Sequence, residues 1–123
     1  MKLHLARDAG LQLFSSYGAG FVAVNGVRYE KCVVVSPLAV LEWVVTGFDA
    51  LTLADFGFIE SLKPEIVILG TGAAQRFPRR DLMRELAAAG VGVEIMDSRA
   101  ACRTYNILAT EGRKVVAAVL MTA

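Results

Sequence analysis

The hydrophobic pattern changes character midway along the chain. In the first half, apolar residues alternate with polar ones or form short β-branched runs, the signature of strands. In the second half such runs alternate with stretches whose apolar residues recur every three or four positions, the signature of helices. The pivot is Pro64 to Gly72, PEIVILGTG. Ile66 to Leu69 is an unbroken apolar run that ends in Gly70-Thr71-Gly72. A strand buried on both faces and followed at once by a glycine-flanked turn predicts the centre of a parallel or mixed α/β sheet. Ligands in such sheets bind where a strand's carboxyl end opens into its loop.

Before the pivot, residues 1–10 read as a short edge element or loosely held arm, and Leu11 to Phe14 as a first strand. Tyr17 to Gly20 reads as a loop. Phe21 to Tyr29 is a β-hairpin: Asn25-Gly26 suits the two positive-φ positions of a type I′ turn. That turn sets Val24 opposite Val27 and Val22 opposite Tyr29. Cys32 to Val35 is a buried strand broken by Ser36-Pro37, and Val40 to Val45 is another, with Trp43 as a core anchor. Asp49 then caps a short helix whose apolar stripe is Leu51, Ala54, Phe58 and Leu62.

After the pivot, Pro78 suits a first helical position. The helix packs Leu82, Leu86 and Ala89 inward and closes at Gly90. Val91 to Met96 is a strand, and Asp97-Ser98 caps a helix from Arg99 to about Thr110. Lys114 to Met121 is the last strand. The expected fold is a single compact α/β domain over residues 1–123. It has a layered mixed sheet, a β-α-β-α-β second half and an N-terminal antiparallel hairpin.

Composition supports a large core and more apolar surface than a monomer hides easily. The 123 residues are 55% hydrophobic and 20% charged, with mean hydropathy +0.51. Disorder is excluded, and a homo-oligomer is a reasonable expectation. The net charge of +1 argues against a general nucleic-acid binder. Charge is nonetheless uneven: residues 63–123 hold nine Lys/Arg against six Asp/Glu. No apolar run approaches the ~18 residues of a membrane span, and the start carries no signal-peptide pattern. Cys32 and Cys102 lack CxxC spacing and read as thiols in a reducing cytoplasm.

Catalytic chemistry is scarce. His4 is the only histidine, with no serine, cysteine or carboxylate pattern beside it, so no nucleophilic triad, metal centre or cofactor is expected. Gly70-Thr71-Gly72 is not a dinucleotide fingerprint, because Gln75 stands where a third glycine is needed. The loop reads either as a tight turn with close backbone packing or as a nest of N–H groups for a small anion. Ser98, Arg99 and Arg103 are its candidate company. Two arginines near a helix N-terminus oppose the dipole, so an acidic side chain, ligand or partner should offset them. Arg76, Arg79, Arg80 and Arg84 add positive charge nearby. Tyr105 and Asn106 read as a structural tie, since a buried amide must be hydrogen-bonded.

Several segments together resemble a known family. They are PEIVILGTG, Met96-Asp97-Ser98, the stretch ACRTYNIL at 101–108, Glu111-Gly112-Arg113, and the early Tyr17-Gly-Ala-Gly and Val24-Asn-Gly-Val-Arg-Tyr-Glu segments. The resemblance is to the conserved family of unknown function that includes mitochondrial complex I assembly factor 3 and the adipogenesis-associated domain proteins. It covers nearly the whole chain. It implies a compact α/β fold and a non-enzymatic protein–protein interaction module with protein partners, with support of respiratory complex I assembly as the role to be expected. With no transit segment evident, a bacterial cytoplasmic protein is expected. The other reading is a small-molecule or anion-binding protein, conceivably an enzyme, that uses Gly70, Thr71, Gly72, Ser98, Arg99 and Arg103.

Overall fold

A computed structural model describes residues 10–121. The strands are β1 (Phe14–Gly18), β2 (Phe21–Val24), β3 (Val27–Tyr29), β4 (Val33–Val35), β5 (Val40–Glu42), β6 (Ile66–Gly70), β7 (Val93–Met96) and β8 (Val115–Val119). The helices are α1 (Gly57–Ser61), α2 (Arg80–Ala88) and α3 (Ser98–Thr110), and two 3-10 turns, Phe48–Ala50 and Leu53–Phe56, lead into α1. Strands β1-β2-β3 form an antiparallel sheet, and β5-β4-β8-β6-β7 form a mixed one. Strand β6 pairs in parallel with both β7 and β8, as the β-α-β-α-β reading requires.

The five-stranded sheet is buried on both faces, and alternate residues of its central strands serve different layers. Ile68, Val115, Ala117 and Val119 face α3 and the small sheet, packing with Ala101, Cys102, Tyr105, Val22 and Val24. Val67, Leu69, Val116 and Ala118 face the other layer, with Trp43, Phe56, Ile59, Leu82 and Leu86. Helix α3 is therefore sandwiched between two sheets.

The hairpin forms in the expected register, Val22 opposite Tyr29 and Val24 opposite Val27, with φ of 47° at Asn25 and 85° at Gly26. Its turn also explains why the first strand starts later than expected. Asn25 Oδ1 accepts from the Leu13 N–H (3.2 Å), and Asn25 Nδ2 donates to the Leu11 carbonyl (2.9 Å). The Leu11 carbonyl and Leu13 N–H are thus held by a side chain, while the Gln12 N–H donates to the Pro37 carbonyl (3.1 Å) outside any ladder. The strand runs Phe14–Gly18 instead, which shrinks the expected Tyr17–Gly20 loop to Ala19-Gly20.

Other boundaries also move, for stated reasons. Strand β5 ends at Glu42 because, although the Trp43 N–H still donates to the Cys32 carbonyl (2.8 Å), the Trp43 carbonyl accepts from the Val45 N–H (3.0 Å) and turns the chain, while the indole Nε1–H donates to the Asp55 carbonyl (3.0 Å). Asp49 caps nothing. Thr52 and Asp55 do that work, the Asp55 carboxylate accepting from the Thr52 N–H at 2.9 Å. Because 3-10 turns advance three residues per turn, the inward residues become Leu51, Phe56 and Ile59. Phe58 and Leu62 of the expected stripe are exposed. Helix α2 begins at Arg80 rather than Pro78, since Arg79 is extended at ψ 145°. Its guanidinium donates to the Asp49 and Leu51 carbonyls (3.2 and 2.8 Å), tying this loop to the 3-10 turns. Strands β7 and β8 are each shorter than their apolar runs. The expected arm lies almost wholly outside the described residues.

The two sheets are joined through α3. Asn106 Oδ1 accepts from the Phe14 N–H (2.9 Å) while its Nδ2 donates to the Phe14 carbonyl (2.8 Å). One turn of helix thereby supplies what a neighbouring strand would give β1. Tyr105 packs edge-on against Phe14, centroids 5.3 Å apart, and its hydroxyl donates to the Gln12 carbonyl (2.7 Å). Asn106→Ala, which leaves both Phe14 groups unpaired, should destabilise the protein by about 2–4 kcal/mol, and Tyr105→Phe by only about 1 kcal/mol. Urea unfolding followed by circular dichroism measures both.

Candidate functional site

At the carboxyl end of β6 the chain must turn tightly, because α3 starts directly above it. A Cβ on Gly70 would lie 3.0 Å from Ser98 Oγ and 3.1 Å from both Ser98 Cα and Ala101 Cβ. Glycine is there because a helix backbone occupies the space. Asp97 caps α3, its carboxylate accepting from the Ala100 N–H (2.9 Å), and so Ser98 is the first helical residue.

Ser98 is the latch of this corner. Its hydroxyl accepts from the Gly72 N–H (2.8 Å) and donates to the Leu120 carbonyl (3.0 Å). Its own N–H donates to the Gly72 carbonyl (2.9 Å). Thr71 is buried and equally engaged. Its N–H donates to the Met96 carbonyl (2.9 Å), and its hydroxyl donates to the Ala74 carbonyl (2.7 Å) and accepts from the Arg76 N–H (3.1 Å). The Leu120 N–H closes the corner on the Gly70 carbonyl (2.9 Å).

The polar groups that would make Gly70-Thr71-Gly72 an anion nest are therefore turned onto the protein's own side chains and strands. An anion held by the Thr71 and Gly72 N–H groups would have to displace bonds already made. This favours the tight-turn reading of the loop over the anion-nest reading.

Gly72, Ser98 and Arg99 do share the wall of one small cleft of about 140 Å³, with Tyr17, Phe21 and Met121 opposite. Gly70 and Thr71 lie beneath it and do not line it. Arg103 stands one helical turn on, and its guanidinium donates to the Tyr17 hydroxyl (3.3 Å). That bond raises the Arg103 pKa first, and the Asp97 carboxylate adds to it. The Arg103 guanidinium is thus hydrogen-bonded by a neutral phenol from the small sheet, and the carboxylate that acts on its charge is Asp97, at longer range. Tyr17 and Phe21 went unnoticed as cleft residues, because nothing in a strand pattern says which helix it will face.

The arginines of the preceding loop are partly spent on structure. Arg79 pairs with Asp81 (3.3 Å) besides holding its two carbonyls, and Arg76 stacks over Phe48, 4.1 Å from the ring centroid. Cys102 and Tyr105, on the buried face of α3, are both shifted upward by burial, the thiol to about 12. Neither is an activated nucleophile. Among the described residues no cluster of His, Cys, Asp and Glu side chains could hold a metal, and no helix is long and apolar enough to cross a membrane.

Comparisons with known proteins agree over nearly the whole chain. Residues 14–120 match the family described as "Protein of unknown function (DUF498/DUF598)". The chain is 32% identical over 104 residues to the 13 kDa major membrane protein of Francisella tularensis, covering 83% of this chain and 85% of that one. It is 31% identical over 115 residues to the NADH dehydrogenase [ubiquinone] 1 alpha subcomplex assembly factor 3 of Danio rerio, and 30% over 119 residues to that of Homo sapiens. These alignments take in 92% and 94% of this chain but only 66% and 65% of the assembly factors, which are longer proteins. Among solved structures, a Bordetella parapertussis protein superposes with TM-score 0.83 at 40% identity, covering 90% of this chain and 96% of that one. A Bordetella pertussis protein described as a Mth938-like domain superposes with TM-score 0.77 at 33% identity, covering 91% and 87%.

Two outcomes follow from the corner. Ser98→Ala strands the Gly72 N–H and the Leu120 carbonyl and should cost about 2–4 kcal/mol, whereas Arg99→Ala, on the exposed side of the same turn, should change stability by less than about 0.5 kcal/mol; thermal or urea unfolding separates them. The second concerns pH. The Cys102 and Tyr105 pKa values are raised in the folded state, so their contribution is complete below the unfolded-state values. It is lost as pH rises from about 8.5–10, where the unfolded thiol and phenol ionise. Unfolding midpoints should fall above pH 9, and Cys102→Ala should make that fall shallower.

Proposed function

The chain belongs to the DUF498/DUF598 family of proteins of unknown function, and on that premise we propose that it is a non-enzymatic protein-binding module with an assembly role. The observation that carries this reading is the match of more than nine-tenths of the chain to proteins named as complex I assembly factors. A respiratory NADH dehydrogenase of the source cell is the corresponding client.

The geometry supports binding through a surface rather than a pocket. In the loop where a doubly covered sheet would hold a ligand, the Thr71 and Gly72 N–H groups are taken up by Met96 and Ser98. Large apolar side chains stand exposed elsewhere, among them Leu38, Val44, Phe77 and Ile107. Aromatic and branched side chains of this kind become useful when a partner covers them. The reading places the chain in a bacterial cytoplasm, in line with its two free cysteines, Cys32 and Cys102.

Affinity purification from the native cell should recover a stable protein partner, and deletion of the gene should lower the amount of assembled NADH dehydrogenase on native gels. Recovery of no partner, together with unchanged enzyme assembly in the deletion strain, overturns the proposal.

A further inference from the structure

Strand β5 is the outer strand of the five-stranded sheet, bonded on one side only among the described residues. Its register with β4 sets Val33 opposite Glu42, Val34 opposite Leu41 and Val35 opposite Val40. The flanking bonds fix which of these pairs exchange hydrogen bonds. Ser36 and Ala39 bond each other in both directions, and the Trp43 N–H donates to the Cys32 carbonyl. Bonded and non-bonded pairs alternate in an antiparallel ladder. Leu41 therefore bonds Val34, whereas the N–H and carbonyl groups of Val40 and Glu42 point away from the sheet.

Among the described residues, both sides of this edge are open. A concavity of about 390 Å³ on one face is lined by Leu41, Trp43, Val44 and Phe58. Another of about 460 Å³ is lined by Tyr29, Lys31, Val33 and Glu42. Val44 is 84% exposed and Leu41 41%. Natural edges are blunted by prolines, bulges or charges. Here the strand has neither proline nor bulge, and its one charge, Glu42, has Lys31 at 3.9 Å.

We propose that β5 is a self-association surface, pairing antiparallel with β5 of a second copy about a two-fold axis through Leu41. In that register Val40 of each copy faces Glu42 of the other. Both residues carry outward N–H and carbonyl groups, so the pairing closes four N–H···O bonds. Leu41 meets Leu41 of the second copy as the close, non-bonded pair, with Val44 and Phe58 flanking it. The charges fit too: each Glu42 faces a valine and keeps its own Lys31, so no like charges oppose. A second copy suits this edge because one register satisfies both sides at once. The product is one continuous sheet across two copies. A three-residue strand with three side chains covers less than the ~800 Å² per partner of a standard interface, so the dimer is weak and concentration-dependent.

Sedimentation equilibrium of the full chain over roughly 1–500 µM, the span for a contact of this strength, should show the mass rising from 13.2 kDa towards twice that value. Glu42→Pro deletes an outward N–H and no internal ladder bond, and Leu41→Lys sets two like charges on the axis. Each should raise the dissociation constant at least about tenfold with an unchanged circular dichroism spectrum. Should either variant misfold, Leu41→Cys on a Cys32→Ser background decides: oxidation should link it as a dimer, and Ile107→Cys on the same background should stay monomeric. A chain that remains monomeric at every concentration overturns the proposal. So does a dimer insensitive to both edge variants, or equal cross-linking at positions 41 and 107.

Discussion

Helix α3 has to serve two sheets at once, and most of the structure follows from that. Its apolar face packs on the central strands through small residues, Ala101 and Ala109, against Ala117 of β8. Its other flank must hold β1, which among the described residues has no strand on that side. Asn106 solves this by presenting an amide to the Phe14 backbone, matching donor to acceptor in both directions. Tyr105 adds the ring contact and a second tether at Gln12. Without this helix the three-stranded sheet would have one short hairpin and little core of its own.

The same constraint shapes the strand-end corner. For α3 to lie over the sheet it must start directly above Gly70, which leaves no room for a Cβ there. Ser98 then ties the loop, the helix start and the end of β8 together. A site with the outward look of a ligand-binding loop is, bond by bond, a structural joint. The small cleft beside it is bounded by the joint on one side and by Tyr17 and Phe21 on the other. That is a more economical use of GTG than a nest, and it shifts attention from pockets to surfaces.

Much of the architecture was legible in residue patterns. The hairpin could be read from Asn25-Gly26, the parallel core from Ile66 to Leu69, and both long helices from their caps and stripes. The misreadings have a common cause: local pattern was overruled by side chains reaching from far along the chain. The Asn25 side chain bonds the Leu11 and Leu13 backbone, the Asp55 carbonyl holds the Trp43 indole, and Arg79 bonds the Asp49 and Leu51 carbonyls. The 3-10 turns altered the phase of the first helical stripe, so Phe58 and Leu62 emerged at the surface. For the candidate site, the grouping of the GTG loop with Ser98 and Arg99 was legible, because a parallel β-α-β unit brings successive strand ends together. The state of its hydrogen bonds was not.

The amino-acid sequence by itself determined the alternation of strands and helices, the two-layer burial of β6 and β8, and the family. These follow from periodicity and from residue types that act within a few positions of one another. Only the tertiary structure decided that Ser98 and Met96 take up the Gly72 and Thr71 N–H groups, that Tyr17 meets Arg103, and that β5 lies at the sheet edge among the described residues. Those outcomes depend on which carbonyl lies within reach of which donor after the sheets have packed. A donor's partner tens of residues away leaves no mark on the local pattern.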